Sequence, residues 1–300
     1  MRLRQHRTVP VGVIDVGSNT VRLLVAREDE ELDQRRAVVG LGAAIERDGE
    51  ISEPKLEEAA SCVAEFVKIA RRDHVDAVEV LITSPGRQAT NGAELVDRIA
   101  AAAMVPVRLL SSAEEGRLAF VGAVSRARGI DDDDIVAVCD VGGGSAQVTV
   151  GTIRKGVSWT QSIDIGSRRL ASRCFEDDPP GRAALREARA QVEQYLDGFT
   201  PPGGAKLALA VGGSARSLRW LVGTILGPDE LERALALLAR TPADEISLTY
   251  DLDPGKLSTL AAGAVILAAL EERLDIPLRV GRGGLREGAA LELAARRKAA

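Results

Sequence analysis

Val11 to Val25 reads V-G-V-I-D-V-G-S-N-T-V-R-L-L-V, and further along Val136 to Val150 reads V-A-V-C-D-V-G-G-G-S-A-Q-V-T-V. Aspartate, valine and glycine fall at the same offsets in both, as Asp15-Val16-Gly17 and Asp140-Val141-Gly142. Each copy is an apolar β-rich run closed by an aspartate, a short polar turn that uses glycine's backbone freedom, and a second β-rich run. The pattern predicts a β-hairpin at the start of each of two successive α/β units.

Outward from the first hairpin, the periodicity predicts a strand at 35–41, a helix at 53–72, a strand at 77–83 and a polar loop. A helix at 93–103, a strand at 105–110 and a helix at 114–127 follow. Gly129 and the acidic run Asp131 to Asp134 then break the pattern and read as a solvated junction. This divides the chain into domains at 1–128 and 129–300. The second unit repeats the plan, with strands near Ile135, Val148, Trp159 and Lys206 and a helix at 182–196. Pro179-Pro180 and Pro201-Pro202-Gly203-Gly204 punctuate it. Helices at 228–239 and 256–274, a strand at 277–280 and a last helix at about 285–297 complete the chain, the last helix being expected to pack back on the first domain. Alternating strands and helices make the fold class α/β.

With 300 residues, 45% hydrophobic and 28% charged, the chain can bury a core in two domains of ordinary size. No apolar run approaches the roughly 18 to 20 residues of a membrane span; the longest, Thr259 to Leu270, ends at Glu271 and Glu272. The basic start, Met1 to Arg7, is followed by only a short apolar strand before Asp15, so neither a signal peptide nor a membrane partner is expected, and the predicted location is the cytoplasm. Cys62, Cys139 and Cys174 are odd in number and far apart, which excludes a disulfide framework and a paired-thiolate zinc site. Two histidines, His6 and His74, are too few for a histidine-rich metal centre, and no serine–histidine triad suggests itself. The net charge of −5 argues against binding long nucleic acids, although an arginine-rich cationic complement suits a local phosphate cleft.

Asp15-Val16-Gly17-Ser18-Asn19-Thr20 and Asp140-Val141-Gly142-Gly143-Gly144-Ser145 are suited to phosphate chemistry. Glycines let backbone N–H groups converge on an anion, hydroxyls add donors, and an aspartate at the strand end can hold hydrated magnesium. One such turn would be an ordinary hairpin; two matching copies suggest loops facing each other across a cleft. A third turn, Val211-Gly212-Gly213-Ser214, follows an apolar strand and opens a helix, an arrangement that serves either an anion or simple turn geometry. Gly281-Arg282-Gly283-Gly284 precedes the last helix, and its arginines, Arg282 and Arg286, either contact phosphate or solvate a helix end. Glu114 and Glu115, taken alone, read equally as solvated acids at a helix N-terminus.

Taken in order, I-D-V-G-S-N-T from Ile14, T-S-P-G-R-Q-A-T-N from Thr83 to Asn91, A-E-E-G-R-L from Ala113 to Leu118, D-V-G-G-G-S from Asp140 and G-L-R-E-G from Gly284 to Gly288 resemble the exopolyphosphatase and guanosine-pentaphosphatase family of the actin-like phosphotransferase superfamily. The resemblance extends from about Val11 to Leu293. It implies two ribonuclease-H-like domains with substrate in an interdomain cleft. It assigns the catalytic base to Glu115, phosphate contacts to Arg87 with Asn91 nearby, and a magnesium-associated role to Asp140. The phosphate-binding set expected on this basis is Gly17, Ser18, Asn19, Thr20, Arg22, Arg87, Asn91, Gly142, Gly143, Gly144, Ser145, Gly212, Gly213 and Ser214. The metal-associated set is Asp15, Asp140 and, through water, Gln147, with Mg²⁺ as cofactor.

Three departures from the family pattern stand out. Many relatives carry an acid where this chain has neutral Gln147, which removes negative charge from the metal position. Ser84-Pro85-Gly86 precedes Arg87 where T-S-A-x-R is usual, and Gly40-Leu41-Gly42-Ala43 stands where R-L-G-E is common. The sequence ends where longer relatives begin an extra helical domain; a two-domain form with a preference for short substrates is the expectation. The predicted activity is Mg²⁺-dependent, Glu-assisted release of terminal phosphate from inorganic polyphosphate. Alternatives are hydrolysis of pppGpp, which shares the chemistry, and a sensor of polyphosphate or guanosine polyphosphate with little turnover. An actin-like kinase is the most distant reading. Scattered Trp159, Trp220, Tyr195 and Tyr250 offer no base-stacking pocket. The resemblance further implies a homodimer, for which the apolar Leu257 to Leu274 helix is a candidate face, although core is the simpler reading of that stripe.

Overall fold

The computed structural model describes residues 9–28, 30–72, 75 and 77–299. The readings made above for Met1 to Arg7, His6 and His74 fall outside these residues. The chain divides into two compact units, Met1–Leu110 with Arg286–Ala300, and Ser111–Leu285.

Unit 1 begins with the expected hairpin, β1 (Val11–Val16) and β2 (Thr20–Arg27), continued antiparallel by β3 (Glu30–Val38). Two helices, α1 (Leu41–Asp48) and α2 (Glu53–Arg72), lead to β4 (Ala77–Ile82), which lies parallel to β1. The short α3 (Ser84–Gln88) and α4 (Gly92–Ala103) precede β5 (Val107–Leu109), giving a sheet ordered β3-β2-β1-β4-β5. Alternation along β1 and β2 buries Ile14, Val16, Val21, Leu23 and Val25 against Leu56, Val63 and Val67 of α2 and Leu95 and Ile99 of α4.

Unit 2 opens with α5 (Ser112–Val124) and then repeats the plan: β6 (Val136–Val141), β7 (Ala146–Thr152), β8 (Gly156–Ile163), α6 (Ser167–Cys174), α7 (Gly181–Tyr195) and β9 (Leu207–Val211). It ends with α8 (Gly212–Val222), β10 (Ile225–Leu226), α9 (Pro228–Leu238), α10 (Ala243–Tyr250), α11 (Pro254–Leu257), α12 (Leu260–Leu274) and β11 (Leu278–Val280). The last helix, α13 (Leu285–Ala299), enters unit 1 from Arg286 onward. The unit 2 sheet is ordered β10-β11-β9-β6-β7-β8. Its run β8-β7-β6-β9-β11 reproduces β3-β2-β1-β4-β5 strand for strand, with the same antiparallel hairpin and parallel crossovers. The sequence echo is therefore a repeat of topology, and both units are α/β sheets with the ribonuclease-H-like strand order.

The units part after Leu110 and not after residue 128. The reason is packing: Phe120 and Ala123 of α5 bury against Val136, Val138, Leu209 and Val211 of the second sheet. The acidic run 131–134 consequently lies inside unit 2, where Arg154 pairs with Asp132 and Asp133, and Lys206 with Asp131 and Asp134, all at the surface. No helix among the described residues is long and apolar enough to cross a membrane. The apolar stripe of α12 belongs to the unit 2 core, in contact with α6, α7, α8 and α9, which removes it as an exposed dimer face.

Candidate active site

The two hairpin turns close in the same way. Gly17 N donates to Thr20 O at 3.0 Å, and Gly142 N donates to Ser145 O at 3.0 Å. Each turn stands at the end of a strand pair whose aspartate, Asp15 or Asp140, is half-buried.

In unit 1 the turn is braced from three directions. The Ser18 hydroxyl shares a buried hydrogen bond of 2.7 Å with that of Ser84, and Thr83 Oγ1 donates to Val16 O at 3.2 Å. Gly42 N donates to Ser18 O at 2.7 Å, and a Cβ on Gly42 would stand 2.9 Å from Ser18 Cβ. The Gly40-Leu41-Gly42 stretch thus lets α1 close on the turn, Gly40 supplying the left-handed entry at φ 74°. Arg22 Nε donates to Thr20 Oγ1 at 3.0 Å. Asn19 Oδ1 is buried with no hydrogen-bond partner among the described residues, a costly state for a polar atom unless a ligand completes it.

Burial pushes the Asp15 carboxyl above the usual carboxylate range, against the opposing pull of Arg22 and Arg286; Glu287 adds a further upward push. Arg286 and Glu287 are both buried, 3.9 Å apart, at the start of α13. They join the Asp15 environment although they were not in the expected site set; the G-L-R-E-G motif was the signal, but its alternative as a solvated helix end concealed the role. Arg282, by contrast, is exposed.

Arg87 lies in α3, half-buried, and its Nη1 donates to Leu110 O at 2.8 Å. Pro85-Gly86 serves packing, since a Cβ on Gly86 would meet Leu109 Cδ1 at 2.6 Å and Ile82 Cγ2 at 2.8 Å. Asn91, expected near phosphate, is engaged with the backbone of Ile51. Its Oδ1 accepts from Ile51 N at 2.9 Å and its Nδ2 donates to Ile51 O at 2.8 Å, so the amide braces the backbone near the start of α2.

In unit 2 the second and third turns lie side by side. Val141 bridges Gly212, and a Cβ on Gly212 would come within 3.0 Å of Asp140 Oδ1 and 2.8 Å of Val141 O. Gly212 adopts φ 94°, which favours glycine, and Ser214 is buried in the first turn of α8. The N-terminus of α6 locks the glycine turn from behind: Ser167 N donates to Gly142 O, and Arg168 N and Arg169 N both donate to Gly143 O.

Glu114 and Glu115 separate into different roles. Ser111 and Glu114 form a capping box, with Ser111 N donating to Glu114 Oε2 at 2.9 Å and Glu114 N to Ser111 Oγ at 3.2 Å. Glu115 is buried at 8% exposure. Its neighbour Gly116 sits so close to the sheet that a Cβ would stand 2.6 Å from Thr149 Oγ1 and 3.6 Å from Gln147 Cβ. The first turn of α5 is therefore held over the strand that carries Gln147.

Gln147, expected to meet a metal through water, is engaged with two serine hydroxyls. It is 1% exposed, and its Nε2 donates to Ser145 Oγ at 3.0 Å and Ser162 Oγ at 3.3 Å, which ties the turn to β8. Cys139, next to Asp140, is buried and its thiol is pushed up to about 12, chiefly by burial, so it is no nucleophile. Among the described residues no group of three or more His, Cys, Asp or Glu could hold a metal. Mg²⁺ does not require one: it keeps its waters and is commonly held by one or two carboxylates together with substrate phosphate. Asp15 with the unpartnered Asn19 carbonyl, and Asp140, fit that pattern.

The profile of the Ppx/GppA phosphatase family matches residues 24–297. Exopolyphosphatase 1 of Mycobacterium tuberculosis is 28% identical over 302 aligned positions, covering 94% of this chain and 87% of that protein. The crystal structure of an exopolyphosphatase-like protein superposes with a TM-score of 0.87 at 25% identity, covering 98% of this chain and 100% of the other. The Aquifex aeolicus member of the Ppx/GppA family superposes with a TM-score of 0.80 at 24% identity, over 96% and 98% of the two chains.

Proposed function

Because the chain belongs to the Ppx/GppA phosphatase family, we propose that it releases terminal phosphate from inorganic polyphosphate by attack of a water that Glu115 orients. The observation that carries this reading is the division of labour at α5: Glu114 is consumed in the cap, while Glu115 is buried beside the strand that follows the Asp140 turn. The likeness to Exopolyphosphatase 1 favours polyphosphate over pppGpp as substrate.

In the proposed reaction the water oxygen bonds to the terminal phosphorus as the phosphoanhydride P–O bond breaks. The shortened chain leaves with the bond's electron pair, and the water proton passes to Glu115 and then to solvent. In unit 2, amides and hydroxyls of the Gly142–Ser145 turn offset charge on the phosphoryl oxygens; in unit 1 the Gly17–Thr20 turn, with Arg87 and Arg22, carries the same kind of donors. Gly212, Gly213 and Ser214 add donors beside Asp140. Asp15 with Asn19 in unit 1, and Asp140 in unit 2, are each suited to hold hydrated Mg²⁺, which would supply further charge neutralisation.

One observation favours a second reading. Gln147 places a neutral, internally bonded amide where many relatives carry an acid, which suits a sensor that binds polyphosphate or guanosine polyphosphate with little turnover. Phosphate release from short and long polyphosphate with Mg²⁺, for the wild type, Glu115→Ala and Gln147→Glu, separates the two. We expect wild-type release, faster on short chains, and its loss in Glu115→Ala. No wild-type release, together with tight binding and activity gained in Gln147→Glu, would establish the sensor instead.

A further inference from the structure

Unit 2 contains a cavity of about 340 Å³ between α6, the loop at 175–180, the α9–α10 connection and the start of α12. Its size is within the range of small-molecule sites. None of the phosphate-site residues described above lines it. Arg168, Ala171 and Ser172 line it from one face of α6, at the i, i+3, i+4 spacing of a helix, and Phe175, the residue that follows the helix, joins them.

Arg168 is the unexplained group. Its Nε is buried with no hydrogen-bond partner among the described residues. Burial also pulls its guanidinium below the usual arginine range. A half-buried cation in a partly apolar wall is unfavourable unless an anion joins it, and a carboxylate matches the guanidinium fork. The rest of the lining narrows the choice. Glu176 and Asp177 are exposed acids at the cavity's edge, while Asp178 accepts from Ala243 N at 3.0 and 3.2 Å and is engaged in the fold. Phe175, Ile246 and Leu257 supply apolar surface. A phosphate or nucleotide would meet repulsion from the acids, and a purely apolar molecule would leave Arg168 unmatched. A molecule with a carboxylate, an ammonium group and an apolar body meets all three features.

We propose that this cavity binds an α-amino acid with an apolar side chain. Its carboxylate sits on Arg168, its ammonium group faces Glu176 and Asp177, and its side chain packs against Phe175, Ile246 and Leu257. The backbone of Arg168 donates to Gly143 O at 3.0 Å, so the helix that grips the ligand also braces the phosphate turn. An effect of the amino acid on the KM for polyphosphate rests on the hydrolase reading; the binding itself does not.

Calorimetric titration of the full chain with L-leucine, L-phenylalanine and inorganic phosphate tests the proposal independently of turnover. The expected result is saturable binding of at least one of the two amino acids, weakened about tenfold or more, equivalent to about 1.4 kcal/mol, in Arg168→Gln and in the Glu176→Gln/Asp177→Asn double variant. The double variant changes exposed positions, so its folding is not at issue. Absence of binding by both amino acids at millimolar concentration would overturn the proposal. So would binding indifferent to both variants, or Arg168-dependent binding of phosphate tighter than that of either amino acid.

Discussion

The Glu114 carboxylate accepts from both the backbone N–H and the hydroxyl of Ser111, whereas the next side chain, Glu115, turns inward and is buried. Helical geometry enforces the difference, because successive residues point about 100° apart. Glu114→Ala is therefore expected to cost about 1 kcal/mol of stability through the lost cap while retaining phosphate release. Glu115→Ala should do the reverse, and urea unfolding run beside a phosphate assay distinguishes them. Asp15 supplies a pH signature. Its folded pKa is raised, so its contribution to stability is fully present below the titration of an unfolded aspartate and is lost as pH rises through the folded value. Asp15→Asn should therefore be more stable than wild type at neutral pH, with the difference closing in acid, as read from urea midpoints at the two pH values. The aspartates were legible from the repeated D-V-G. The bracing roles of Asn91 and Gln147 were not, because the partners of a side-chain amide, Ile51 in one case and Ser162 in the other, are far away in sequence.

At the level of elements, the glycine turns are held by helices whose close approach depends on small residues. Gly166 precedes α6, and a Cβ there would stand 2.5 Å from Gly143 C and 2.6 Å from Gly144 N. Gly166→Ala should cost about 1–3 kcal/mol and depress phosphate release, since the displaced atoms belong to the glycine turn proposed to bind phosphate. Gly203→Ala, with nothing within 4 Å of the added methyl, should stay within about 0.5 kcal/mol of wild type by thermal unfolding. Long periodic elements such as α2 and α7 were readable because their apolar spacing extends over several turns. The short helices α1, α3, α6 and α10 were not, since five to eight residues hold too little periodicity to distinguish a helix from a polar loop.

For the whole molecule, the chain leaves unit 1 after Leu110 and returns to it at Arg286, so unit 1 is complete only when the C-terminal helix is present. Glu79, 2% exposed in β4, is paired with Arg296 of α13 at 2.7 Å and with Arg108 of β5 at 3.4 Å. A chain ending at Leu285 would leave that buried carboxylate with one partner and remove Arg286 and Glu287 from Asp15. Hydrogen exchange should then accelerate in β1 and β4 and remain unchanged in β6 and β9. The sequence by itself determined the repeated hairpin, the α/β class and the position of the paired glycine turns, because each is encoded in residues adjacent along the chain. Tertiary structure alone decided that α5 belongs to unit 2, that Glu115 is buried while Glu114 caps, and that Arg286 and Glu287 bear on Asp15. These depend on which distant surfaces exclude water from one another, and a local pattern carries no record of that.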